Sequence, residues 1–469
     1  MSQLPLSIPR AKETREFHEQ PFDFLARTRA KLGDMFVIRD DGPMFSRAPE
    51  CNGTIAVFGS ALHQAVLGDI DRFGLPISAA EHLSLPQALV NLNRGLHSMR
   101  GEQHAQQQRV LSQLLSERSL DDQQSAIGEA LETFVAGWRS GQSISLLSEM
   151  RQLALQMSTR MFLGVGYAAS SELGMLLQAY FHLRREAAAP FTSLGDSSRS
   201  ELVTLGISLD RELRRYVSWC RKQSANSADG LLTKLAGLEL DSGVRFSEDE
   251  TVAHINVLFM SSNEPIAVSL TWMLLLLSQL PDLRRELREE LEQASPAKAP
   301  PTATKSALLD SVINETLRLL TPNALMARVT TEPALLEGVL LPAGCEILLC
   351  PFLAHRDANR FPQPSEFRLS RWRGTRPSPF EYFPFGAGGH SCVGRQLAIY
   401  IIRAALTSLL RRYEFVLAGD QEIDWRIDIM FMPRNEPTMT VGLPGTTNLR
   451  AGKLLGPVSE LVTLDTYNS

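Results

Sequence analysis

One cysteine in a glycine-rich turn is the residue best placed to do chemistry. Cys392 lies in the stretch Phe-Pro-Phe-Gly-Ala-Gly-Gly-His-Ser-Cys-Val-Gly-Arg, residues 383–395, which leads directly into an apolar segment, residues 397–410. Glycines lack the Cβ atoms that would keep backbone N–H groups away from the sulfur. A helix that begins just after the cysteine directs its positive end toward the same atom, which favours the thiolate. The stretch therefore predicts a soft ligand for iron.

Six fixed positions of this stretch form a recognisable signature. They spell Phe-Gly-x-Gly-x-His-x-Cys-x-Gly without a gap and are Phe385, Gly386, Gly388, His390, Cys392 and Gly394. On these residues the chain resembles the cytochromes P450, a family of haem-thiolate oxygenases. The resemblance implies that the signature binds haem b and that Cys392 is the proximal iron ligand, whose thiolate favours O–O cleavage. It also implies that His390 contacts a haem propionate and that Phe385 packs beside the sulfur.

The resemblance suggests three further propionate contacts. His104 lies near the start of a predicted helix that begins at Gly101, where the family carries a histidine and usually an arginine four residues later. That later position is Gln108 in this chain, and Arg109 stands one residue beyond it. Arg328 follows a Leu-Leu-Thr-Pro segment at the family's usual distance and is expected to pair with a propionate.

A Glu-x-x-Arg motif lies on a predicted helix over residues 305–320. Its members, Glu315 and Arg318, share one helix face at this spacing. In the resembled family the pair also binds an arginine from a later loop, and Arg371 stands at that place. We expect these three residues to stabilise the fold and to take no part in the chemistry.

The longest predicted helix begins at a capping box, in which Glu250 follows Ser247 by three residues, and it extends to Leu280. Its middle, residues 261–265, reads Ser-Ser-Asn-Glu-Pro. The resembled family has Ala-Gly-x-(Glu/Asp)-Thr here, and this acid and alcohol manage protons during oxygen activation. The acid is present as Glu264, whereas Pro265 replaces the alcohol.

A proline within a helix has no N–H for the carbonyl four residues earlier, here that of Ser261. We therefore expect the helix to open into a groove at this point. Ser261 or Ser262, a water or a substrate hydroxyl can stand in for the missing alcohol. Some relatives that use peroxide also carry proline here, after an arginine that holds a fatty carboxylate. Glu264 has the opposite charge, which disfavours that route, and it can instead accept a hydrogen bond from a donor or cationic group of the substrate.

Composition and charge exclude several classes of protein. The 469 residues are 44% hydrophobic and 21% charged, which is ordinary for a globular enzyme, and the net charge of −5 argues against nucleic-acid binding. Five cysteines without paired spacing do not indicate a disulfide scaffold. No run reaches the roughly 18 apolar residues that a membrane span needs. The polar segment Met1 to Arg15 resembles neither a signal peptide nor a membrane anchor, so a cytoplasmic protein of the soluble bacterial type is expected.

The resemblance implies a mainly α (α+β) architecture, the cytochrome P450 fold. A large helical domain and a smaller β-rich part would hold haem between the long central helix and the loop that carries Cys392. Residues 1–443 are predicted to form this single domain. Residues 444–469 extend past the usual end of the family's fold and are expected to be a poorly ordered tail.

The leading functional prediction is a monooxygenase for a small hydrophobic organic substrate, such as a secondary metabolite, that uses O₂ and external electrons. No flavin or ferredoxin module is recognisable in the chain, so a separate ferredoxin or flavodoxin type of redox partner is expected. Six arginines around the cysteine loop suggest a docking surface for an acidic donor: Arg356, Arg360, Arg368, Arg373, Arg376 and Arg395.

Two alternatives stay open. One is a haem-thiolate isomerase, dehydratase or peroxide-dependent enzyme, because Pro265 replaces the oxygen-activating alcohol. The other is a non-catalytic haem-binding domain that recruits a partner protein.

Overall fold

The computed structural model describes residues 4–12, 14–44, 51–76, 85–120, 123–164, 171–187, 196–222, 230–294, 306–374, 376–428, 430–445 and 451–464. The chain divides into two compact units. The first comprises Met1–Gln108, Asn323–Pro364 and Arg376–Cys392, and the second comprises Arg109–Pro322, Ser365–Thr375 and Val393–Ser469. Both units draw on distant segments, so neither is one continuous stretch of chain. The single domain expected over residues 1–443 stays a prediction.

Helices dominate the described residues, as expected. In chain order they are α1 Glu16–Glu19, α2 Pro21–Leu32, α3 Ser60–Gly68, α4 Gln87–Asn93, α5 Gly101–Leu114, α6 Glu117–Leu120, α7 Gln124–Val135, α8 Leu146–Leu163, α9 Glu172–Ala187, α10 Asp196–Lys222, α11 Leu231–Ala236, α12 Glu248–Ser261, α13 Glu264–Ser278, α14 Pro281–Ala294, α15 Ala307–Leu319, α16 Pro351–Ala354, α17 Arg395–Arg412 and α18 Pro457–Leu461. Short 3₁₀ turns occupy Leu96–Ser98 and Leu369–Trp372.

The strands are short and form small sheets. They are β1 Met35–Arg39, β2 Thr54–Val57, β3 Phe73–Gly74, β4 Ser143–Ser145, β5 Met326–Thr330, β6 Ala334–Leu336, β7 Val339–Leu341, β8 Glu346–Leu349, β9 Glu414–Leu417, β10 Gln421–Glu422, β11 Trp425–Ile427, β12 Phe431–Pro433, β13 Thr438–Gly442 and β14 Leu454–Leu455. The described strands pair in the orders β1-β2-β8-β5-β3, β4-β13-β9, β6-β7, β10-β14 and β11-β12.

The first unit is built on the five-stranded sheet. Its inner strands β2 and β8 run parallel, with Ile55 beside Ile347 and Val57 beside Leu349, and all four side chains are buried. Strands that are covered on both faces have continuous apolar sequences, as these two do. Strand β8 pairs antiparallel with β5, which places Arg328 opposite Ile347. Arg328 therefore lies on an interior strand of the sheet.

The second unit is organised around α12 and α13. The expected capping box is confirmed, because the Ser247 hydroxyl accepts the Glu250 N–H while the Glu250 carboxylate accepts the Ser247 N–H. Every side chain from Leu270 to Leu277 in α13 is buried, as expected for a helix that is apolar on all sides. The single helix expected up to Leu280 is wrong: α12 ends at Ser261 and α13 begins at Glu264.

The expectation of a poorly ordered tail does not hold for residues 451–464. Strand β14 pairs in parallel with β10, and α18 buries Val458 completely. The Thr463 carbonyl accepts the Phe367 N–H at 2.8 Å, and the Thr463 N–H donates to Ser365 at the same distance. The apolar side chains of Leu454, Val458 and Val462 explain the order, since all three are buried within the second unit.

No single helix in the described ranges is both long and apolar enough to cross a bilayer. The stretch Glu248–Ser278 meets that criterion only jointly with Pro281–Ala294, to which it is bent by 115°.

Candidate functional site

The cysteine loop in the first unit is a tight turn that depends on its glycines. Gly386 and Gly388 both have φ of +69°, a left-handed conformation that glycine adopts without strain. A Cβ on Gly388 would lie 1.7 Å from the carbonyl oxygen of Leu67. The Cys392 N–H donates to the Phe385 carbonyl at 2.8 Å and closes the loop. Any side chain at Gly388 would therefore displace the segment that carries Cys392.

Cys392 is solvent-exposed, whereas the other four cysteines are buried. Burial raises the pKa of Cys345 and that of Cys350 to about 12, which keeps both as unreactive thiols. Gly394 is the N-cap residue of α17, as the signature predicts. The packing of Phe385 beside the sulfur stays a prediction.

A cluster of basic side chains lies in the same unit. The rings of His104, from α5, and His390, from the cysteine loop, meet edge to face with 4.5 Å between their centroids. His104 is 1% exposed and Arg328 is 2% exposed. The Arg328 guanidinium donates to the Ala327 carbonyl at 2.9 Å, but its Nε and the Nε2 of His104 have no hydrogen-bond partner.

The pKa values of this cluster are lowered by burial and, for the histidines, by neighbouring positive charge. Burial and the nearby charges of His104, Arg328, His97 and Arg100 lower the pKa of His390 to about 3. Burial alone lowers the pKa of Arg328 to about 10. Loss of hydration among the surrounding protein atoms, followed by repulsion from His104 and Arg328, also lowers the pKa of His97, although this residue is solvent-exposed by surface area.

The two propionates of a haem would provide this cluster with hydrogen-bond acceptors and with negative charge. Their carboxylates would accept from the unpartnered Nε of Arg328 and pair with His104, and they would compensate the basic charge. The residues present therefore fit haem. No group of three or more His, Cys, Asp or Glu side chains that could hold a metal ion occurs among the described residues.

The sequence did not single out His97 and Arg100. Their positive charges, together with those of His104 and Arg328, lower the pKa of His390 in addition to the effect of burial. The available signal was the density of basic residues just before α5, where Arg94, His97 and Arg100 precede His104 at three- or four-residue intervals.

The structure gives Arg109 a different partner from the expected propionate. Its Nη1 lies 2.7 Å from the Asp241 carboxylate, and both side chains are more than half exposed. Its neighbour Gln108 donates instead to the carbonyl of Ser391, beside Cys392, at 3.3 Å. Successive helical residues point about 100° apart, which separates the directions of the two side chains. The propionate contact expected of Arg109 has no support here.

In the second unit, Glu264 is held by arginines. Its carboxyl is 7% exposed and accepts from Arg151 Nε at 3.0 and 3.2 Å, while Arg185 lies at 4.0 Å. Glu264 was predicted to accept a hydrogen bond from a substrate group. In the structure the guanidinium of Arg151 already donates to this carboxylate. This pairing could not be predicted from local sequence patterns, because Arg151 and Arg185 lie on helices distant in the chain from Glu264.

The break between α12 and α13 is stabilised by side chains. The Ser262 hydroxyl donates to the Phe259 carbonyl at 2.9 Å and to the Ser158 hydroxyl of α8 at 3.0 Å. The Asn263 amide also donates to Phe259, at 2.6 Å. Pro265 lies in the first turn of α13, where a proline is tolerated. Ser262 is thus engaged with α8, whereas Ser261 is exposed and keeps its predicted role as a possible substitute alcohol.

The expected structural lock is confirmed within the second unit. Arg318 and Glu315 are fully buried and joined by two hydrogen bonds of 2.8 and 2.9 Å. Arg371 Nε lies 3.2 Å from the same carboxylate, and Trp372 Nε1 donates to it at 3.0 Å. The tryptophan was not predicted.

Several known proteins are similar to this chain. Rat (Rattus norvegicus) cytochrome P450 3A1 is 31% identical over 193 residues, which cover 40% of this chain and 38% of that protein. Dog (Canis lupus familiaris) cytochrome P450 3A12 is 32% identical over 196 residues, 40% of this chain and 39% of the relative. The matched segment therefore spans about two fifths of the length of these relatives.

Two solved structures share the fold. Cyanobacterial CYP120A1, with retinoic acid bound, superposes with a TM-score of 0.75 at 19% identity, over 94% of this chain and 99% of that one. The cytochrome P450DA heme domain gives a TM-score of 0.77 at 18% identity, over 93% and 97%.

A family description, Cytochrome P450, matches residues 42–440, most of the chain. Members of that family are haem-thiolate monooxygenases that hold the iron through an axial cysteine. With the cysteine loop and the basic cluster in place, the match shows that this chain belongs to the cytochrome P450 family, with haem iron as its cofactor.

Proposed function

We propose that the chain is a monooxygenase that oxidises a small hydrophobic organic substrate with O₂ and electrons from an external protein. The observation that carries the proposal is the pairing of the Cys392 loop with the unpartnered basic cluster of Arg328 and His104. A ferredoxin or flavodoxin type of donor and a cytoplasmic location are part of the proposal.

Haem, when bound, supplies a redox-active iron whose thiolate ligand favours O–O cleavage. The chain's own residues hold and orient that group. The loop around Gly388 fixes the position of Cys392, while Arg328, His104 and His390 bind the carboxylates. The hydrogen bond from Gln108 to the Ser391 carbonyl joins α5 to the cysteine loop and fixes the position of His104 relative to Cys392.

The same proposal gives Glu264 the role of the acid that moves protons at the helix break. Its carboxylate is kept at a fixed place by Arg151, and the break itself is held by Ser262 and Asn263. Because Pro265 provides no hydroxyl, a substrate that fits well or an ordered water must complete the proton path. We therefore expect poor coupling of electron consumption to product for substrates that fit badly.

Spectra of the reduced, CO-bound protein test this function first. Wild type should show the band that is diagnostic of thiolate ligation, and Cys392→Ser should lose it while keeping its fold by circular dichroism. Cys220→Ser is the matched control, since this buried cysteine lies in the other unit. A histidine-type spectrum in wild type would overturn the assignment of Cys392.

Turnover separates the oxygenase from the alternatives. Substrates found by screening for shifts of the haem band should give oxygenated product with NADH and a surrogate redox pair. Product formed from peroxide alone, or an isomerised or dehydrated product that consumes no NADH, would contradict the monooxygenase. Ligands that bind without any turnover would favour a non-catalytic haem domain.

A further inference from the structure

Helix α3 supports the cysteine loop along one of its faces. His63 and Leu67 lie one turn apart on α3, and Ile70 follows just beyond the end of that helix. A Cβ on Gly388 would lie 1.7 Å from the carbonyl oxygen of Leu67. A Cβ on Gly389 would lie 2.8 Å from the side chain of Ile70. The backbone of the loop therefore rests directly on the end of α3.

His63 adds a polar contact to this face. Its side chain is 2% exposed, and its Nδ1 lies 3.1 Å from the carbonyl oxygen of Phe380. A carbonyl oxygen only accepts hydrogen bonds, so Nδ1 carries the proton and donates it. Burial lowers the pKa of His63, which keeps the imidazole neutral at pH 7 with its proton on Nδ1. His63 therefore joins α3 to the segment that leads into the cysteine loop.

Phe383, at the base of the loop, is held by two histidines. Its buried ring meets the ring of His63 at 5.1 Å and that of His355 at 5.3 Å, both edge to face. Such pairs stabilise an aromatic ring beyond the burial of its area. The Phe383 N–H also donates to His355 Nε2 at 3.0 Å. Both the ring and the backbone of Phe383 are thus fixed.

Two backbone hydrogen bonds connect Phe383 to the cysteine. The Gly386 N–H donates to the Phe383 carbonyl at 2.9 Å. The Cys392 N–H donates at 2.8 Å to the carbonyl of Phe385, the residue just before Gly386. A shift of Phe383 would therefore move the carbonyl that positions Cys392.

The other end of the loop is held from α5. The Ser391 carbonyl accepts from the Gln108 amide at 3.3 Å. The same peptide group donates its N–H, that of Cys392, to Phe385. The peptide before the cysteine is thus held by α5 on one side and by the base of the loop on the other. His63 secures that base, although it lies outside the six signature positions.

We propose that His63 is a positioning residue for the axial thiolate. By fixing Phe380 and Phe383 on α3, it holds the loop that presents Cys392 and slows the loss of the thiolate from iron. The inference rests on the proposed role of Cys392 as the iron ligand. It requires a donor at the place of Nδ1. Asparagine carries an amide nitrogen on Cγ, as histidine carries Nδ1, whereas the amide nitrogen of glutamine lies one methylene further from the backbone.

The lifetime of the thiolate band in the reduced, CO-bound holoenzyme tests this role. In urea well below each unfolding midpoint, His63→Leu should lose the band about 2- to 10-fold faster than wild type, the range that corresponds to one hydrogen bond. His63→Asn restores the donor and should lose it at nearly the wild-type rate. Gln64→Leu, at an exposed position on the same helix, is the matched control and should match wild type.

A second variant keeps the test decisive where His63→Leu does not fold. His63→Gln is polar but places its donor too far from the backbone, so it should lose the band faster than His63→Asn. The iron–sulfur stretching band in resonance Raman spectra should shift in His63→Gln and His63→Leu and should keep its wild-type frequency in His63→Asn.

A thiolate band that lasts as long in His63→Leu as in wild type would overturn the inference. So would a His63→Asn protein that loses the band as fast as His63→Leu, or as fast as His63→Gln where His63→Leu does not fold, because lost packing alone would then explain the effect. A wild-type protein without the thiolate band would contradict Cys392 as the iron ligand and the inference with it. Unchanged variants of a wild type that has the band would overturn the role of His63 alone.

Discussion

At the scale of single residues, the basic cluster explains how a buried site can be selective for a dianionic cofactor. Arg328 and His104 are buried with unpartnered nitrogens, and burial together with neighbouring positive charge lowers the pKa of His390. Buried polar and charged groups without partners lower the free energy of unfolding of the haem-free protein, and bound carboxylates compensate them. Haem binding and the stability of the cluster are therefore coupled.

Arg328→Leu should weaken haem retention without destabilising the haem-free protein. Loss of a hydrogen bond to a charged group costs about 1.5–3 kcal/mol, or roughly 10- to 100-fold in affinity. Removal of a buried, uncompensated guanidinium has the opposite effect on the haem-free chain. The rate of haem transfer to apomyoglobin measures the first effect, and thermal unfolding of haem-free protein measures the second.

Arg109→Leu is the matched control for this substitution. Its ion pair with Asp241 is exposed at the surface, so haem transfer should match wild type. Faster haem loss from Arg109→Leu than from wild type would support the propionate contact that the sequence predicts for Arg109.

Glu315→Gln should be among the most destabilising single changes in the second unit. The carboxylate is fully buried and compensates both Arg318 and Arg371. Breaking a buried ion pair by removing one partner costs about 3–5 kcal/mol, because an unpaired charge remains. Urea unfolding of the holoenzyme checks this loss, and Glu292→Gln, at an exposed position, should change little. A loss no greater than that of the control would mean that water compensates the two arginines.

At the scale of elements, the break between α12 and α13 shows how one proline divides the helix that the sequence predicts as continuous. Pro265 cannot donate to the Ser261 carbonyl, and Ser262 and Asn263 supply side-chain hydrogen bonds to Phe259 instead. The second helix restarts at Glu264, which places the acid in its first turn.

Pro265→Thr and Pro265→Ala separate the backbone effect of the proline from the missing hydroxyl. Both restore an N–H, but only threonine adds an alcohol. If proton supply limits coupling, product formed per NADH should rise in Pro265→Thr and not in Pro265→Ala. Equal gains in both variants would assign the defect to the helix backbone. Collapse of turnover with intact haem spectra would mean that the proline-shaped break is itself required.

The C-terminal segment is a second element with a measurable contribution. Gly452 packs so closely that a Cβ would lie 1.8 Å from the Gly419 carbonyl oxygen. Gly452→Val should therefore undock β14 and α18 and expose Val458. Burial of two or three such side chains contributes about 3–9 kcal/mol, so the unfolding midpoint in urea should fall. Lys453→Ala, at the neighbouring exposed position, should have the wild-type midpoint, and equal midpoints in both variants would contradict the docking.

At the scale of the whole molecule, the net charge of −5 conceals local basic regions. Of the arginines expected to dock a redox partner, Arg360 pairs with Glu381 and Arg368 pairs with Glu366. Arg356 stacks on Phe352 at 3.7 Å. Arg373 and Arg376, three residues apart in the chain, are exposed and are the best candidates for contact with an acidic donor.

Reduction by an acidic ferredoxin should slow as salt rises, since exposed charges are screened within about 10 Å at 0.1 M. The double substitution Arg373→Gln with Arg376→Gln should slow reduction at low salt and flatten the salt dependence. Arg434→Gln, an exposed arginine of the second unit, is the control. A stopped-flow reduction rate that is indifferent to salt would exclude electrostatic docking.

The amino-acid sequence alone was enough to predict the family, its haem cofactor and most helices of this protein. Those features depend on short-range chemistry: a ten-residue signature around Cys392, a capping box at Ser247, and apolar periodicity along each helix. Glu315 and Arg318 were also predictable, since residues three apart share a helix face.

The partners that come from distant segments became evident only in the folded structure. Arg151 lies 113 positions from Glu264, and Trp372 lies 57 positions from Glu315. No local pattern encodes such a pairing, because it arises when separate helices pack. The same reason applies to the C-terminal segment, residues 451–464, whose few apolar residues do not predict an ordered structure. The segment is ordered because its backbone forms hydrogen bonds with β10 and with Phe367, and because its apolar side chains are buried.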